Sequence, residues 1–200
     1  MPDATGQLLH DVLWQRPDLP ALEHCRLWQH DSNFSLTGLV LTRANDAPVE
    51  IQYTVICSAD WRTRAAHIAM HRGDHIDRVT VAVDDSQTWR SNGKELTFAN
   101  GLFDIDLGFS PSTNALPIRR LKLEIGGSKP VTAVWVRFPD LAVLTLEQRY
   151  TRLSADRYRY ESANGSFVAE LEVDHHGLVV TYGRWWERIA ESAHNFTTAP

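Results

Sequence analysis

Residues 50–57 read Glu-Ile-Gln-Tyr-Thr-Val-Ile-Cys, and this stretch decides the fold class. Apolar side chains occupy every second position from Ile51 to Cys57, and the residues at positions 50, 52 and 54 are polar. A period of two is the period of a β-strand that buries one face. The stretch therefore predicts a strand of a sheet that packs one face on a core.

The same alternation recurs along the chain, in segments 77–84, 119–125, 157–160, 167–173 and 178–182. Strands are also predicted at 63–70, 131–138 and 141–146. Glycine-containing turns of the kind that tight hairpins require lie between several of these segments. They are Arg72-Gly73-Asp74, Ser91-Asn92-Gly93, Gly126-Gly127, Asn164-Gly165 and His176-Gly177. The clearest predicted hairpin joins segments 119–125 and 131–138. The pattern predicts an antiparallel β-roll, sandwich or barrel.

Helical periodicity is weak throughout, and the best candidate helix is Trp186–Ala193. No linker, repeat or low-complexity run divides residues 1–200, so the chain is predicted to be one all-β domain. Segment 131–138 carries apolar residues on both faces, which fits a sheet around an apolar ligand groove and equally a packed core.

Composition excludes several classes of function. The formal net charge is -5 and the pI is about 6.0, whereas a nucleic-acid binder carries a basic excess, so we expect no nucleic-acid partner. No apolar run approaches the ~20 residues of a membrane span, and the N-terminus lacks the pattern of a signal peptide. We expect a cytoplasmic protein without stable membrane insertion.

Cys25 and Cys57 are the two cysteines, expected to be buried thiols.

Asp104 and Asp106 form the first candidate for chemistry. On a strand they share one face roughly 6.5 Å apart, a spacing that allows acid and base roles in glycoside hydrolysis. Strand alternation alone also produces this pattern if Phe103, Ile105 and Leu107 point to the core. Both interpretations remain open.

Arg119 and Arg120 form the second candidate. On the predicted strand they point to opposite faces, so at most one of them shares a face with a given carboxylate. An arginine in the interior needs a carboxylate partner, and Asp104 or Asp106 can supply it. Such a set binds sugar hydroxyls or a phosphate, or ties two strands together.

Metal and cofactor signals are weak. His67, His71 and His75 have a helical spacing of four, but Gly73 interrupts them and the segment resembles a strand. Walker, nucleophile-elbow and dinucleotide patterns do not occur. We expect neither a metal nor a cofactor.

Aromatic residues are numerous, with 7 Trp and 5 Tyr. Trp28, Trp61, Trp89, Trp185 and Trp186 lie among polar neighbours. Aromatic faces beside hydrogen-bonding groups suit a sugar ring or an acyl chain, and they also occur in ordinary cores.

Residues 101–121 contain two runs, Asp104-Ile105-Asp106-Leu107 and Thr113-Asn114-Ala115-Leu116-Pro117-Ile118-Arg119-Arg120-Leu121. Together they resemble the signature of the putative glycolipid-binding family of bacterial proteins. Flanking matches occur at Leu22–Leu27, Trp135–Leu141, Gln148–Tyr150, Tyr158–Tyr160 and Val173–Tyr182. The resemblance implies a curved antiparallel sheet, a spiral β-roll, with at most short helices. It also implies a glycolipid or other small amphiphile as partner.

The leading hypothesis is a non-enzymatic protein that holds a lipid or glycolipid in an apolar groove of the curled sheet. The alternatives are a carbohydrate- or glycolipid-processing enzyme that uses Asp104 and Asp106, and an aromatic-rich module that forms a homodimer. The predicted ligand-binding residues are Asp104, Asp106, Asn114, Arg119, Arg120, Trp61, Trp89, Trp135, Tyr158 and Tyr160.

Overall fold

The computed structural model describes residues 6–192, and these residues form mainly β-strands. The strands are β1 Gln7–Arg16, β2 Ala21–His30, β3 Asn33–Ala44, β4 Ala47–Cys57, β5 Thr63–Arg72, β6 His75–Val83, β7 Trp89–Ser91, β8 Lys94–Glu95, β9 Asp104–Leu107, β10 Ser128–Val136, β11 Val143–Arg152, β12 Arg157–Ser162, β13 Phe167–Val173, β14 Val179–Tyr182 and β15 Trp186–Ser192. Helix α1 covers Ala115–Leu121, and 3₁₀ turns cover Thr97–Ala99, Ser112–Asn114 and Ala163–Gly165.

All fifteen strands join one sheet in the order β8-β7-β6-β5-β4-β3-β2-β1-β15-β14-β13-β12-β11-β10-β9. Every pairing is antiparallel except that between β9 and β10, which is parallel. Within the described part of the chain β8 and β9 remain separate edges, so the sheet curls without closing into a barrel. The predicted all-β, mainly antiparallel roll with at most short helices is confirmed.

The sheet consists of two meanders that meet at one seam. Strands β1 to β8 form the first meander and β10 to β15 the second, to which β9 adds as a parallel edge strand. The seam is the pairing of β1 with β15. The first strand of one meander thus pairs with the last strand of the other. This pairing is antiparallel, with Val12 opposite Glu191 and Gln15 opposite Glu187.

The alternation that predicted the strands also places the core. Ile51, Tyr53, Val55 and Cys57 are all buried, whereas Gln52 between them is exposed. Neighbouring strands continue the same buried face because antiparallel pairing sets partner residues on one side of the sheet. Burial of this apolar face supplies the main driving force for folding.

Residues 109–118 fill the space between the two meanders, and all ten of them are buried. The Ser110 hydroxyl donates to Glu23 on β2, and the Tyr150 hydroxyl on β11 donates to Asn114. The segment is therefore bonded to both halves of the sheet. It occupies the inside of the roll, where the sequence suggested an apolar groove.

Two predicted elements are wrong, and so is the hairpin predicted between segments 119–125 and 131–138, because β10 pairs with β9 and β11 instead. Segment 119–125, predicted as a strand, contains the end of α1, after which Lys122 adopts a left-handed conformation (φ 46°, ψ 48°). Pro117 lies in the first turn of α1, where its missing N–H would have no partner in a helix. With seven residues, α1 is too short to display a 3.6-residue period.

The second wrong element is the candidate helix Trp186–Ala193. Residues 186–192 form strand β15, and Ala193 lies outside the described residues. Strand β15 pairs with β1 and β14, so tertiary pairing overrides a weak local pattern. Because Arg119 and Arg120 lie on a helix, their predicted placement on opposite faces of a strand is also corrected.

Candidate functional site

Two concavities lie at the two ends of α1, which is roughly 10 Å long at seven residues. One has a volume of about 300 Å³ and lies near Asn114, just before the helix. The other has a volume of about 900 Å³ and contains Arg119, Arg120 and Lys122 at the end of the helix. Both volumes fall near the range of roughly 300–1,000 Å³ that is usual for ligand sites.

The smaller concavity, here called the aromatic pocket, is formed by the second meander, the neighbouring end of β1 and residues 106–114. Its aromatic walls are Trp135, Tyr160, Phe167, Tyr182, Trp185 and Trp186. Its polar groups include Asp106, Ser110 and Asn114. The rings of Tyr160, Phe167 and Tyr182 pack edge to face on one another, with Tyr160 and Tyr182 centroids 5.8 Å apart. Trp135, Phe167, Tyr182 and Trp185 are only partly buried, so they remain open to a ligand.

Asp106 is the acidic group of this pocket. The Gln148 Nε2 group donates to its Oδ2 over 2.5 Å. Burial raises the pKa of Asp106 to about 6, and the hydrogen bond from Gln148 opposes that rise. Asn114 contributes less, since its Oδ1 accepts from the Tyr150 hydroxyl and its Nδ2 donates to the Pro111 carbonyl.

Trp135 lies against the backbone at Gly108. A Cβ atom at position 108 would come within 2.6 Å of the indole Nε1, so this close approach depends on glycine. Trp135 lies opposite Asp106 on β9 and Leu144 on β11. These three residues form a row across β9, β10 and β11 that runs from the acidic group of the pocket to exposed apolar surface at Leu144, which is 38% exposed.

The larger concavity, here called the arginine cleft, has arginines over its aromatic rings. The Trp61 ring stacks on Phe34 with centroids 4.4 Å apart, and the Arg119 guanidinium lies 5.3 Å from its centroid. Tyr158 is buried, and the Arg152 guanidinium lies 5.8 Å from its ring. Neither ring is open to stacking by a sugar.

Arg120 and Asp104 form a buried ion pair beneath this cleft. The Arg120 Nε and Nη2 groups donate to Asp104 Oδ1 and Oδ2 over 3.0 and 2.5 Å. The side chain of Asp104 is 2% exposed and that of Arg120 is 19% exposed. Burial raises the pKa of Asp104, and the Arg120 charge opposes this rise. This pair ties β9 to α1, whereas one sequence interpretation expected such a pair to tie two strands together.

The ten predicted residues thus separate into groups. Asp106, Asn114, Trp135 and Tyr160 line the aromatic pocket. Trp61, Arg119, Arg120 and Tyr158 line the arginine cleft, and Asp104 supports it from beneath. Trp89 lines neither concavity, because it is fully buried and its Nε1 donates to the Leu102 carbonyl.

The sequence interpretation missed Phe167, Tyr182 and Gln148 as pocket residues. A signal for the first two was present, since both lie at alternating apolar positions of predicted strands next to Tyr160. Pairing of β12, β13 and β14 in chain order would have placed them on one face.

A third concavity, the sheet groove, lies on the face of β2–β6 opposite the core, with a volume of about 680 Å³. His24, Arg26, Trp28, His67 and Arg78 belong to its walls. None of the ten predicted residues lies there. Among residues 6–192 no cluster of three metal-ligating side chains occurs, and no helix has the length and apolarity to cross a membrane.

Comparisons with known proteins agree with this fold. A family model described as putative glycolipid-binding matches residues 11–188. The crystal structure of a DUF1089 family protein from Pseudomonas aeruginosa is similar, with a TM-score of 0.77 and 29% sequence identity. The similarity covers 88% of this chain and 95% of that chain. No curated protein matches the chain.

Proposed function

Because the chain belongs to the family described as putative glycolipid-binding, we propose that it binds a glycolipid and holds the sugar in the aromatic pocket. The observation that carries this proposal is the combination of partly open aromatic rings with the Asp106 carboxyl in one concavity. Apolar faces of sugar rings pack on aromatic side chains, and sugar hydroxyls donate to carboxylates. A volume of about 300 Å³ suits a single sugar ring better than a whole lipid.

The lipid tail is proposed to lie at the surface and not inside the roll. Residues 109–118 already occupy the interior, and their burial supports this placement. The row from Asp106 through Trp135 to Leu144 leads from the pocket to exposed apolar surface. An amphiphile with its sugar over Asp106 would extend its chain along this row.

The arginine cleft is less suited to a sugar, although it is larger. Its two predicted aromatic residues, Trp61 and Tyr158, are covered by Arg119 and Arg152. Stacking on either ring would first require an arginine to move away. In the aromatic pocket Arg16 lies over Trp186 and Arg184 lies over Trp185. Among the described residues no arginine lies over the partly open rings of Trp135, Phe167 and Tyr182, so stacking on these rings requires no such rearrangement.

The enzyme alternative is supported less well. A glycosidase with two carboxylates needs both of them beside the scissile bond. Asp104 is engaged by Arg120 through two hydrogen bonds and is almost fully buried, and only Asp106 faces a concavity. A two-aspartate mechanism therefore lacks one of its two groups.

A binding experiment with short alkyl glycosides tests the proposal. The full chain is titrated below the critical micelle concentration with octyl glycosides of several sugars, and tryptophan fluorescence and native mass spectrometry report binding. We expect Trp135→Leu to weaken binding about tenfold, because the sugar loses its aromatic face.

Trp28→Leu is the matched control, since Trp28 is also partly buried but lies in the sheet groove. Thermal unfolding of both variants checks that they are folded. The proposal fails if no octyl glycoside binds, or if the two substitutions weaken binding equally.

A further inference from the structure

Asp106 is a carboxyl group without a cation to balance its charge. Within the described part of the chain Gln148, a neutral residue, is the hydrogen-bond partner of its carboxyl group, and no Lys, Arg or His lies within ion-pair distance. Asp104, two residues earlier, has the guanidinium of Arg120 as its partner. The two aspartates share a strand, yet only one is neutralised.

The surroundings of Asp106 favour a cation. Six aromatic side chains form the walls of the pocket, and the negative faces of such rings attract ammonium groups. Burial, followed by the charge of Asp106, raises the pKa of Tyr160, which places the carboxyl group near the ring of this wall residue.

Arg16 is the one basic residue among the residues that line the pocket. Its guanidinium is held by two hydrogen bonds to Asp18 and lies 5.7 Å from the centroid of the Trp186 ring. It is therefore already paired and does not neutralise Asp106. Its position shows that an aromatic ring of this pocket already accepts a cation at the rim.

We propose that the aromatic pocket recognises an alkylammonium group, with Asp106 as the counter-ion and the surrounding rings as a cation-binding wall. The proposal deepens the proposed function and rests on it, because it specifies the headgroup chemistry of the same pocket. The ammonium group belongs either to an amino sugar or to an amine-bearing lipid headgroup. A neutral sugar would satisfy hydrogen bonds of Asp106 but not its charge.

The pH dependence follows from the groups that face Asp106. These groups are the ion pair of Asp104 and Arg120, the neutral Gln148, and three tyrosines, Tyr150, Tyr160 and Tyr182. Arg16 lies at the pocket rim. Burial raises the pKa of all three tyrosines, so they stay neutral below pH 9. The pKa of Asp106 is about 6, so its carboxylate form is lost as the pH falls below that value.

A comparison of matched probes tests the inference. Octyl 2-amino-2-deoxyglucoside, its N-acetyl form and octyl glucoside are titrated at pH 7.5 and pH 4.5 into the wild type and Asp106→Asn. We expect the amine to bind about tenfold more tightly than the N-acetyl form at pH 7.5. This preference is expected to disappear at pH 4.5 and in Asp106→Asn.

Glu147→Gln is the control, because Glu147 precedes Gln148 on β11, is exposed on the opposite face and carries the same charge. This variant should keep the full preference for the amine. Octylphosphocholine forms a second arm, and tighter binding of this probe than of the amino glycoside identifies a lipid headgroup as the source of the ammonium.

The outcomes separate the two proposals. If all three glycosides bind equally, or if Asp106→Asn keeps the preference, the ammonium inference is overturned and sugar binding in the pocket stands. If no glycoside binds but octylphosphocholine binds in an Asp106-dependent way, the ammonium site stands and the sugar proposal falls. If no probe binds, both are overturned.

Discussion

Asp104 and Asp106 lie two residues apart on β9, yet their carboxyl groups have different partners. Arg120 neutralises Asp104, whereas Asp106 receives one hydrogen bond from Gln148 and faces aromatic rings. The difference arises because Arg120 and Gln148 come from different elements, α1 and β11. Identical side chains on one strand face thus serve one structural and one candidate binding role.

Glu23 is a third buried carboxyl group, and it is fully inaccessible to solvent. The hydroxyls of Tyr53 and Ser110 donate to its Oε1 over 2.5 and 2.6 Å, and its Oε2 has no partner among the described residues. Burial raises the pKa of Glu23 from 4.5 to about 8, against the effect of the two hydrogen bonds. The folded protein therefore favours the protonated form at neutral pH.

This pKa predicts a loss of stability at alkaline pH. The folded pKa lies above the unfolded value, so the contribution of Glu23 is complete below pH 4.5 and is lost as the pH rises to about 8. Relative to Glu23→Gln, the wild type should lose on the order of 2 kcal/mol of unfolding free energy between pH 6 and pH 9. Urea unfolding of both proteins at several pH values measures this difference. A constant difference across that range would contradict the buried, protonated carboxyl group.

At the scale of elements, the segment formed by residues 109–118 and the rest of α1 determines how the roll is filled. Its hydrogen bonds reach β2 through Glu23 and β11 through Tyr150. The last turn of α1 adds the ion pair between Arg120 and Asp104. The segment that carries the family resemblance therefore joins the two meanders, and its residues also line both concavities.

Two adjacent arginines on α1 allow a matched test of this connection. Arg120→Met leaves the Asp104 charge buried and unpaired, so we expect it to lower the unfolding free energy by roughly 3–5 kcal/mol at pH 7. Arg119→Met removes an exposed contact with Trp61 and a hydrogen bond to the His175 carbonyl, and should change it by about 1 kcal/mol. Denaturant unfolding measures both values. Equal losses of unfolding free energy in the two variants would show that the ion pair between Arg120 and Asp104 does not stabilise the contact between α1 and β9.

At the scale of the whole molecule, stability depends on the seam between β1 and β15. The indole Nε1 of Trp14 on β1 donates to the carbonyl of Val179 on β14 over 2.7 Å, and Trp14 is fully buried. This contact joins residues 165 positions apart. Pairing of β1 with β15, which lie far apart in the sequence, has a high cost in loop-closure entropy, so we expect seam formation to be a late, cooperative step.

Trp14→Phe tests cooperativity across the seam. The substitution removes the hydrogen bond and part of the buried ring, and should lower the unfolding free energy by roughly 2 kcal/mol. Hydrogen exchange should then show reduced protection of β4 and of β12 alike. Trp28→Phe removes a hydrogen bond to Thr37 within one meander and serves as the control. Loss of protection in only one meander after Trp14→Phe would indicate two independently folding halves.

Sequence alone determined several of the strands but not β1, β2 or β3, because alternation is a local property that is visible only where it is regular. The strand at 50–57 and those at 157–160 and 167–173 follow from it directly. The block at 101–121 that carries the resemblance contains α1 and four of the predicted site residues that line the two concavities, Asp106, Asn114, Arg119 and Arg120. The same alternation failed at 119–125, because a seven-residue helix beside glycines carries too few residues to reveal its period.

Only the tertiary structure decided which residues meet. Asp106, Gln148, Tyr160 and Tyr182 lie on four different strands, and their convergence depends on strand order and register. Whether the curled sheet leaves space or fills it depended on residues 109–118, whose burial no local pattern specifies. Local periodicity fixes the orientation of a side chain relative to its own backbone, but the free energy of burial and charge pairing depends on neighbours brought together by folding.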